Sequence, residues 1–342
     1  MNSVMHEQNL YREIITPVPD GVTRPLWSVM IPTYNCANYL RETLAGILAQ
    51  DLGPEVMQIE VVDDHSTQDD PAAIVEELGR GRVSFYRQPE NVGAIKNFNT
   101  CLQRSRGHLV HLLHGDDCVR DGFYWKMQRA FDEKAEIGAA FCRHIFIDGN
   151  SHWLFLSDLE QSESGILSNW LERIAVMNLL QPPSIVVRRD VYEKLGGFDS
   201  RICCCAEDWE MWVRIAADYP VWYDVEPLAL YRFHSASLTG RCARTGQNVR
   251  DLCKIIEIIQ PYLPAPIAKD LSRKSRENWA LYAIKDITPQ MFAVGDLSAV
   301  TTQIQEALRC SCSLNIIKEL TPLVLQLGKL WLKKTVNTAA RG

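Results

Sequence analysis

Leu109-Val110-His111-Leu112-Leu113-His114-Gly115-Asp116-Asp117 is a mostly apolar run that ends in a glycine and two adjacent carboxylates. The apolar residues read as a buried strand with two acids at its tip. Carboxylates this close repel each other, and keeping both ionised at the end of an apolar strand calls for a compensating cation. A hard divalent ion bridged to the phosphates of a nucleotide is the usual answer. Gly and Asp are also turn formers, so the same residues can be read as a chain reversal and nothing more. The flanking sequence has to decide.

Upstream, Trp27 to Pro32 reads as a short buried strand, and Leu40, Leu44, Ile47 and Leu48 follow at helical spacing. Met57 to Val62 is a second strand ending in Asp63 and Asp64, and Asp69 to Leu78 a helix with Pro71 in its first turn. Val83 to Arg87 supplies a third strand and Ala94 to Arg104 a third helix. Strands alternating with helices of this length predict a parallel, doubly wound sheet with ligands at the carboxyl ends of its strands. Downstream the pattern is mixed. Helices are expected at Gly122 to Lys134, Ser168 to Leu180 and Glu207 to Ala217, and strands at Ile137 to Asp148, Trp153 to Leu156, Ser184 to Val187 and Leu228 to Phe233. From Arg244 onward the apolar residues keep helical spacing. The expected organisation is a surface leader over 1–26, an α/β domain over 27–240 and a helical C-terminal extension over 241–342.

With 46% apolar and 23% charged residues in 342, the chain has the composition of a globular protein, and its net charge of −6 gives no footprint for nucleic acid. Residues 1–26 hold no apolar run of the signal-peptide kind, so the eleven cysteines are expected to be reduced, in a cytoplasmic protein. No apolar run reaches the roughly 18 to 20 residues that span a bilayer. From Leu320 to Gly342 there are four basic residues and no acidic one beside an apolar stripe. That segment reads either as peripheral membrane contact on the inner face or as a terminal helix packed on its own domain.

Taken together, the strand-end motifs resemble the family 2 inverting glycosyltransferases, which have the GT-A fold and use a nucleotide-diphospho-sugar. The residues that carry the resemblance are Ser28-Val-Met-Ile-Pro-Thr-Tyr-Asn35, Val61-Val-Asp-Asp-His-Ser66, Asn91-Val-Gly93 with Asn97, and His114-Gly-Asp-Asp117. Gly196-Gly-Phe-Asp199, Glu207-Asp-Trp209 and Tyr231-Arg-Phe-His-Ser-Ala-Ser237 follow in the family's order. The resemblance implies a mostly parallel mixed sheet flanked by helices. It gives Pro32, Thr33, Tyr34 and Asn35 to the nucleotide, and Asp64, with Asp63 beside it, to a base such as uracil, whose imide N–H a carboxylate can accept. Asn91, Gly93, Lys96 and Asn97 open a helix facing the nucleotide. Asp116 would be the principal ligand of a manganese or magnesium ion, with Asp117, His234 and His114 as further metal ligands and Arg232 beside the phosphates. Where the family pattern often has a leading acid, this chain has His114, an imidazole better suited to manganese than to magnesium. Asp208 matches the family's catalytic base, and Glu207 would orient Asp208 or the acceptor. Gly197, Phe198 and Asp199 would shape the acceptor side.

The implied activity is transfer of a sugar, from UDP in preference to other nucleotides, to the hydroxyl of a saccharide or lipid-linked saccharide in cell-surface polysaccharide or glycoconjugate synthesis. A noncatalytic nucleotide or sugar binder is the main alternative, supported by His114. A nucleotidyltransferase is weaker, because Pro32-Thr-Tyr-Asn35 is not a glycine-rich basic loop, and a dehydrogenase is disfavoured because no Gly-x-Gly-x-x-Gly follows a strand.

Overall fold

The computed structural model describes residues 10–202, 205–233 and 238–323. Its first strands are β1 (Trp27–Thr33), β2 (Met57–Asp63), β3 (Ser84–Arg87) and β4 (Leu109–Leu112), joined by helices α1 (Ala37–Leu48), α2 (Pro71–Gly79) and α3 (Ala94–Arg104). Every residue of β1, β2 and β4 is buried, which is why they read as continuous apolar runs with little alternation. Each large aliphatic side chain so buried contributes about 1.5–3 kcal/mol. α2 starts where the sequence signals it: Asp70 caps the amides of Ala72 and Ala73, and Pro71 occupies the first turn.

Next come β5 (Cys118–Val119), α4 (Phe123–Glu133), β6 (Ala139–Ile147), β7 (Trp153–Leu156), β8 (Gly165–Ile166), α5 (Trp170–Ile174), β9 (Ile185–Arg188), α6 (Arg189–Leu195), α7 (Glu207–Asp218) and β10 (Val221–Arg232). Along the main path the strands run β3-β2-β1-β4-β9-β6-β10-β5, with β7 on β6 and β8 on β10. The pairs from β3 to β4 and the pair β6–β10 are parallel, whereas β9 is antiparallel to both β4 and β6. The order places the carboxyl ends of β2, β1 and β4 side by side. A core of residues from β1, β2, β4, α1 and α4, among them Trp27, Ile31, Leu44, Val61, Leu113 and Phe123, holds those ends in place.

Of the expected surface leader, residues 10–26 are largely exposed, with Ile15 1% exposed and Arg12 bridged to Asp199. Two expectations need correction. The helix expected over Ser168 to Leu180 is only Trp170–Ile174, because Pro182 and Pro183 open a short 3-10 turn and hold the preceding chain extended. β10 begins at Val221, earlier than expected, and its pairing with β6 shifts register on both sides of Pro227, which cannot donate to the ladder. The four side chains of β7 are all exposed.

These elements, in 10–174, 178–202 and 207–233, form one compact unit; residues 175–177, 205–206 and 238–323 form a second. The second unit contains α8 (Leu238–Thr245), α9 (Gln247–Ile259), α10 (Ala268–Tyr282), α11 (Thr288–Ala293) and α12 (Leu297–Cys310) around Val249, Ala280, Ile284, Ala307 and Ile316. Between α10 and α11 the ladder widens to a π turn over Ala283–Ile287, next to Pro289, which has no N–H to give. Cys242 is disulfide-bonded, against the expectation that all the thiols are reduced. No helix among the described residues is long and apolar enough to cross a membrane. Most of the 320–342 segment lies outside the described residues.

Candidate active site

The turn after β4 is pinned from two sides. The Gly115 amide donates to Pro32 O at 3.0 Å, and the Thr43 hydroxyl of α1 donates to Asp117 O at 2.7 Å. Glycine is needed there: a Cβ on residue 115 would sit 2.8 Å from Thr33 Oγ1 and 3.1 Å from Cys36 Sγ. Asp117 is buried, and its Oδ1 accepts from the Arg232 amide at 2.8 Å while Oδ2 has no hydrogen-bond partner. Burial first, and then repulsion from Asp116, pushes its pKa well above the carboxylate range. His114 stacks on Phe98, with ring centroids 4.8 Å apart, and burial depresses its pKa, so the ring is held neutral with a lone pair to offer.

One ligand atom from each of His114, Asp116 and Asp117 lies within 4.8 Å of the others. An orphaned carboxylate oxygen, a second acid and a neutral imidazole fit a divalent cation of the manganese type. His234, the other expected ligand, lies outside the described residues.

Arg232, expected beside the phosphates, is buried and bonded within the protein. Its Nε donates to Asp116 O at 2.7 Å, Nη1 to Asp148 O and Ser151 Oγ, and Nη2 to Glu42 Oε2 at 2.6 Å, while the guanidinium lies 4.5 Å over Tyr39. The arginine fixes the acid turn from behind, and Glu42, Tyr39 and Ser151, none of them marked by a motif, complete the clamp.

The other strand ends are knit together beside this turn. Asn35, at φ 50°, accepts from the amides of Thr67 and Gln68 and donates its own amide to Ser66 Oγ. The Asp63 carboxylate is spent inside the protein, accepting from Ser66 and from Arg87 Nε at 2.6 Å. Asp64 accepts from the amides of Val92 and Gly93 at 2.8 and 2.9 Å, which ties β2 to the start of α3; burial raises its pKa. The Asn91 side chain donates to Asp64 O. Buried Asn97 bridges inward, donating to Val62 O at 2.9 Å and accepting from Gln88. Pro32 and Thr33 are buried, whereas Tyr34 is 41% exposed and Lys96 exposed, which leaves these two side chains open to a ligand at the loop.

α7 supplies the acids on the other wall. Glu207 is buried, and Asp208 accepts from the Trp209 amide at 2.8 Å and, more loosely, from Asn178 Nδ2 at 3.4 Å. Burial pushes the Asp208 pKa up to about 6 against those two bonds. Asp208 and His114 line one small, mostly apolar cavity with Phe98, Leu112, Tyr192 and Trp212. Asn178 reaches Asp208 only because the chain beyond Ile174 is not helical. α7 is braced by an ion network in which only Asp199 belongs to a motif of the sequence: Arg214 pairs with Glu210 at 2.8 Å, Arg12 pairs with Glu210 at 3.0 Å, and Arg201 holds Asp199. Asp199, expected on the acceptor side, is thus fully buried in this network, while Phe198 packs edge-on against Phe98. Gly197 makes room for Asn99, whose Oδ1 accepts from the Phe198 amide at 2.8 Å and would lie 2.3 Å from a Cβ on residue 197.

Residues 28–196 match the model of glycosyl transferase family 2. An uncharacterized protein of Mycobacterium tuberculosis is 31% identical over 254 residues, spanning 70% of this chain and 78% of the relative. The chain belongs to glycosyl transferase family 2. An uncharacterized glycosyltransferase of Rickettsia prowazekii is 26% identical over 235 residues, 68% of this chain and 71% of its own. Among solved structures, S. aureus TarS 1-349 in complex with UDP-GlcNAc superposes with a TM-score of 0.56 at 15% identity, covering 83% of this chain and 91% of TarS 1-349. The mannosyltransferase PcManGT from Pyrobaculum calidifontis, in complex with GDP-Man and Mn2+, gives 0.55 at 18% identity, covering 98% and 90%. The family 2 chain therefore has the GT-A fold, and it is a glycosyltransferase.

Proposed function

We propose that the protein is a metal-dependent, inverting glycosyltransferase that moves a sugar from a nucleoside diphosphate, UDP in preference to GDP, to the hydroxyl of a saccharide or lipid-linked saccharide. The observation that carries the proposal is the cavity shared by Asp208, with its raised pKa, and the His114 turn. In this scheme residues 27–240 perform the transfer. Tyr34, Asn35, Lys96 and the β2–α3 loops hold the nucleotide, and Asp64 accepts the base imide N–H with a lone pair that its two amide bonds leave free. Asp116, Asp117 and His114 hold the cation, which when bound neutralises charge on the diphosphate and is worth several kcal/mol of barrier.

Asp208 takes the proton of the acceptor hydroxyl as its oxygen attacks the anomeric carbon from the face opposite the diphosphate. The bond from that carbon to the phosphate oxygen breaks, and its electron pair leaves with the diphosphate. A base with a pKa near 6 is ionised at neutral pH yet still accepts a proton readily. Glu207, at the same helix start, positions Asp208. TarS with UDP-GlcNAc supports the donor class, and PcManGT with Mn2+ supports the metal.

The test is sugar transfer, assayed across nucleotide sugars with and without manganese. Asp116→Ala and Asp208→Ala should each abolish transfer while leaving the fold intact. Nucleotide-sugar binding by the wild type with no turnover on any acceptor would favour the noncatalytic binder.

A further inference from the structure

We propose that the helical unit carries an anion site of its own, apart from the strand-end acids, that takes a phosphate or pyrophosphate group. α10 presents Ser272, Arg273 and Arg276 three, four and seven residues beyond Lys269, which places the four on one face of a helix. That face, with Gln260 and Ser311, lines an open cleft of about 330 Å³.

Three cations share the cleft, and their compensation within the protein is weak. Arg273 pairs with Asp270 at 2.7 Å and, at the limit of contact, with Glu277 at 4.0 Å, and Arg276 pairs with Glu257 at 3.0 Å; Asp270 and Glu257 are 52% and 68% exposed, and pairs of this kind yield readily to a better anion. Lys269 has no carboxylate partner among the described residues. The Ser272 hydroxyl is buried in the cleft wall with no hydrogen-bond partner. Guanidinium forks, an ammonium and hydroxyls match phosphate oxygens, and guanidinium engages them two at a time. No aromatic ring lines the cleft, so the recognised element is the phosphate and not a nucleobase. A soluble phosphate compound and a phosphorylated lipid headgroup present the same chemistry.

The experiment uses the full chain in EDTA, which silences any cation-dependent phosphate binding at Asp116 and Asp117. Inorganic phosphate and pyrophosphate are titrated calorimetrically, and sedimentation is measured with phosphatidylcholine vesicles with and without phosphatidic acid. Wild type should bind one or both probes. Lys269→Ala/Arg273→Ala, which alters two exposed side chains, should weaken that binding by at least about tenfold, the loss expected for removing charged hydrogen bonds. Binding of UDP with manganese should not change in the double variant, which separates this inference from the proposed transfer. Binding confined to the soluble anions identifies a soluble phosphate compound as the ligand, and binding to the phosphatidic acid vesicles identifies a lipid headgroup. Absence of binding to both probes, or equal binding by wild type and double variant, would overturn the inference; Lys269→Gln serves as a milder variant should the double change disturb folding.

Discussion

Replacing Asp208 with Asn should separate activity from stability in a direction set by its environment. Burial raises the folded-state pKa to about 6, whereas an unfolded aspartate titrates near ~3.9. Between those values the folded protein binds more protons than the unfolded chain, so at this group stability rises as pH falls from 7 towards 4. At pH 7 the wild type carries the cost of an ionised carboxylate in a mostly apolar cavity, and Asp208→Asn removes it while keeping an acceptor for the Trp209 amide. The variant should melt at the same temperature or higher, and its turnover should fall by about 10²–10⁴, the range for loss of a general base. In the wild type roughly nine-tenths of Asp208 is ionised at pH 7 and about one-tenth at pH 5, so kcat should drop about tenfold over that interval. The assay is a pH profile of kcat at saturating donor, paired with thermal melts of both proteins. A flat wild-type profile between pH 5 and 7, or near-native turnover by Asp208→Asn, would refute the base assignment.

Further outcomes follow from the same geometry. Asp117→Asn replaces a buried carboxyl whose Oδ2 has no partner and whose ionisation burial opposes, so the metal-free protein should melt no lower than wild type, while the rise in melting temperature on adding manganese is lost. Arg12→Ala removes one of two cations from Glu210 and from Asp199, leaving Arg214 and Arg201, and should cost about 1.5–3 kcal/mol, measured by urea denaturation. Gly115→Ala drives a methyl against Thr33 Oγ1 and should cost about 1–3 kcal/mol together with nucleotide affinity. His114→Ala should weaken manganese binding more than magnesium binding, read by titration of each ion, because it removes the nitrogen donor.

The strands and their tips were legible because burial on both faces writes continuous apolar runs, and because an acid or asparagine at the end of such a run has few structural excuses. β1, β2, β4, α3 and the Asp116-Asp117 turn all follow from that. The supporting residues were not legible. Arg232 reads as a cation next to a histidine, and only the fold reveals that its donors are taken by Glu42, Ser151 and backbone carbonyls. Arg12 lies in a proline-bearing polar stretch whose partners are nearly two hundred residues away. Asn178 looked helical by periodicity, and the pair Pro182-Pro183 outweighed that pattern. The Cys242 disulfide joins residues by spatial approach, which the spacing of eleven cysteines does not encode.

The Arg232 clamp also bears on the order in which the molecule can be made. It closes a contact with Glu42 across 190 residues of chain and supplies the amide that holds Asp117. Contacts of such long range form late, after the loop entropy between them has been overcome. A nascent chain that has delivered β1 to β9 already contains the Asp116-Asp117 turn, but lacks the strand that fixes it. Until β10 emerges from the ribosome and inserts between β6 and β5, the turn is held only by Pro32 and Thr43, so a growing chain completes the clamp on its two acids only after residue 232 has been synthesised.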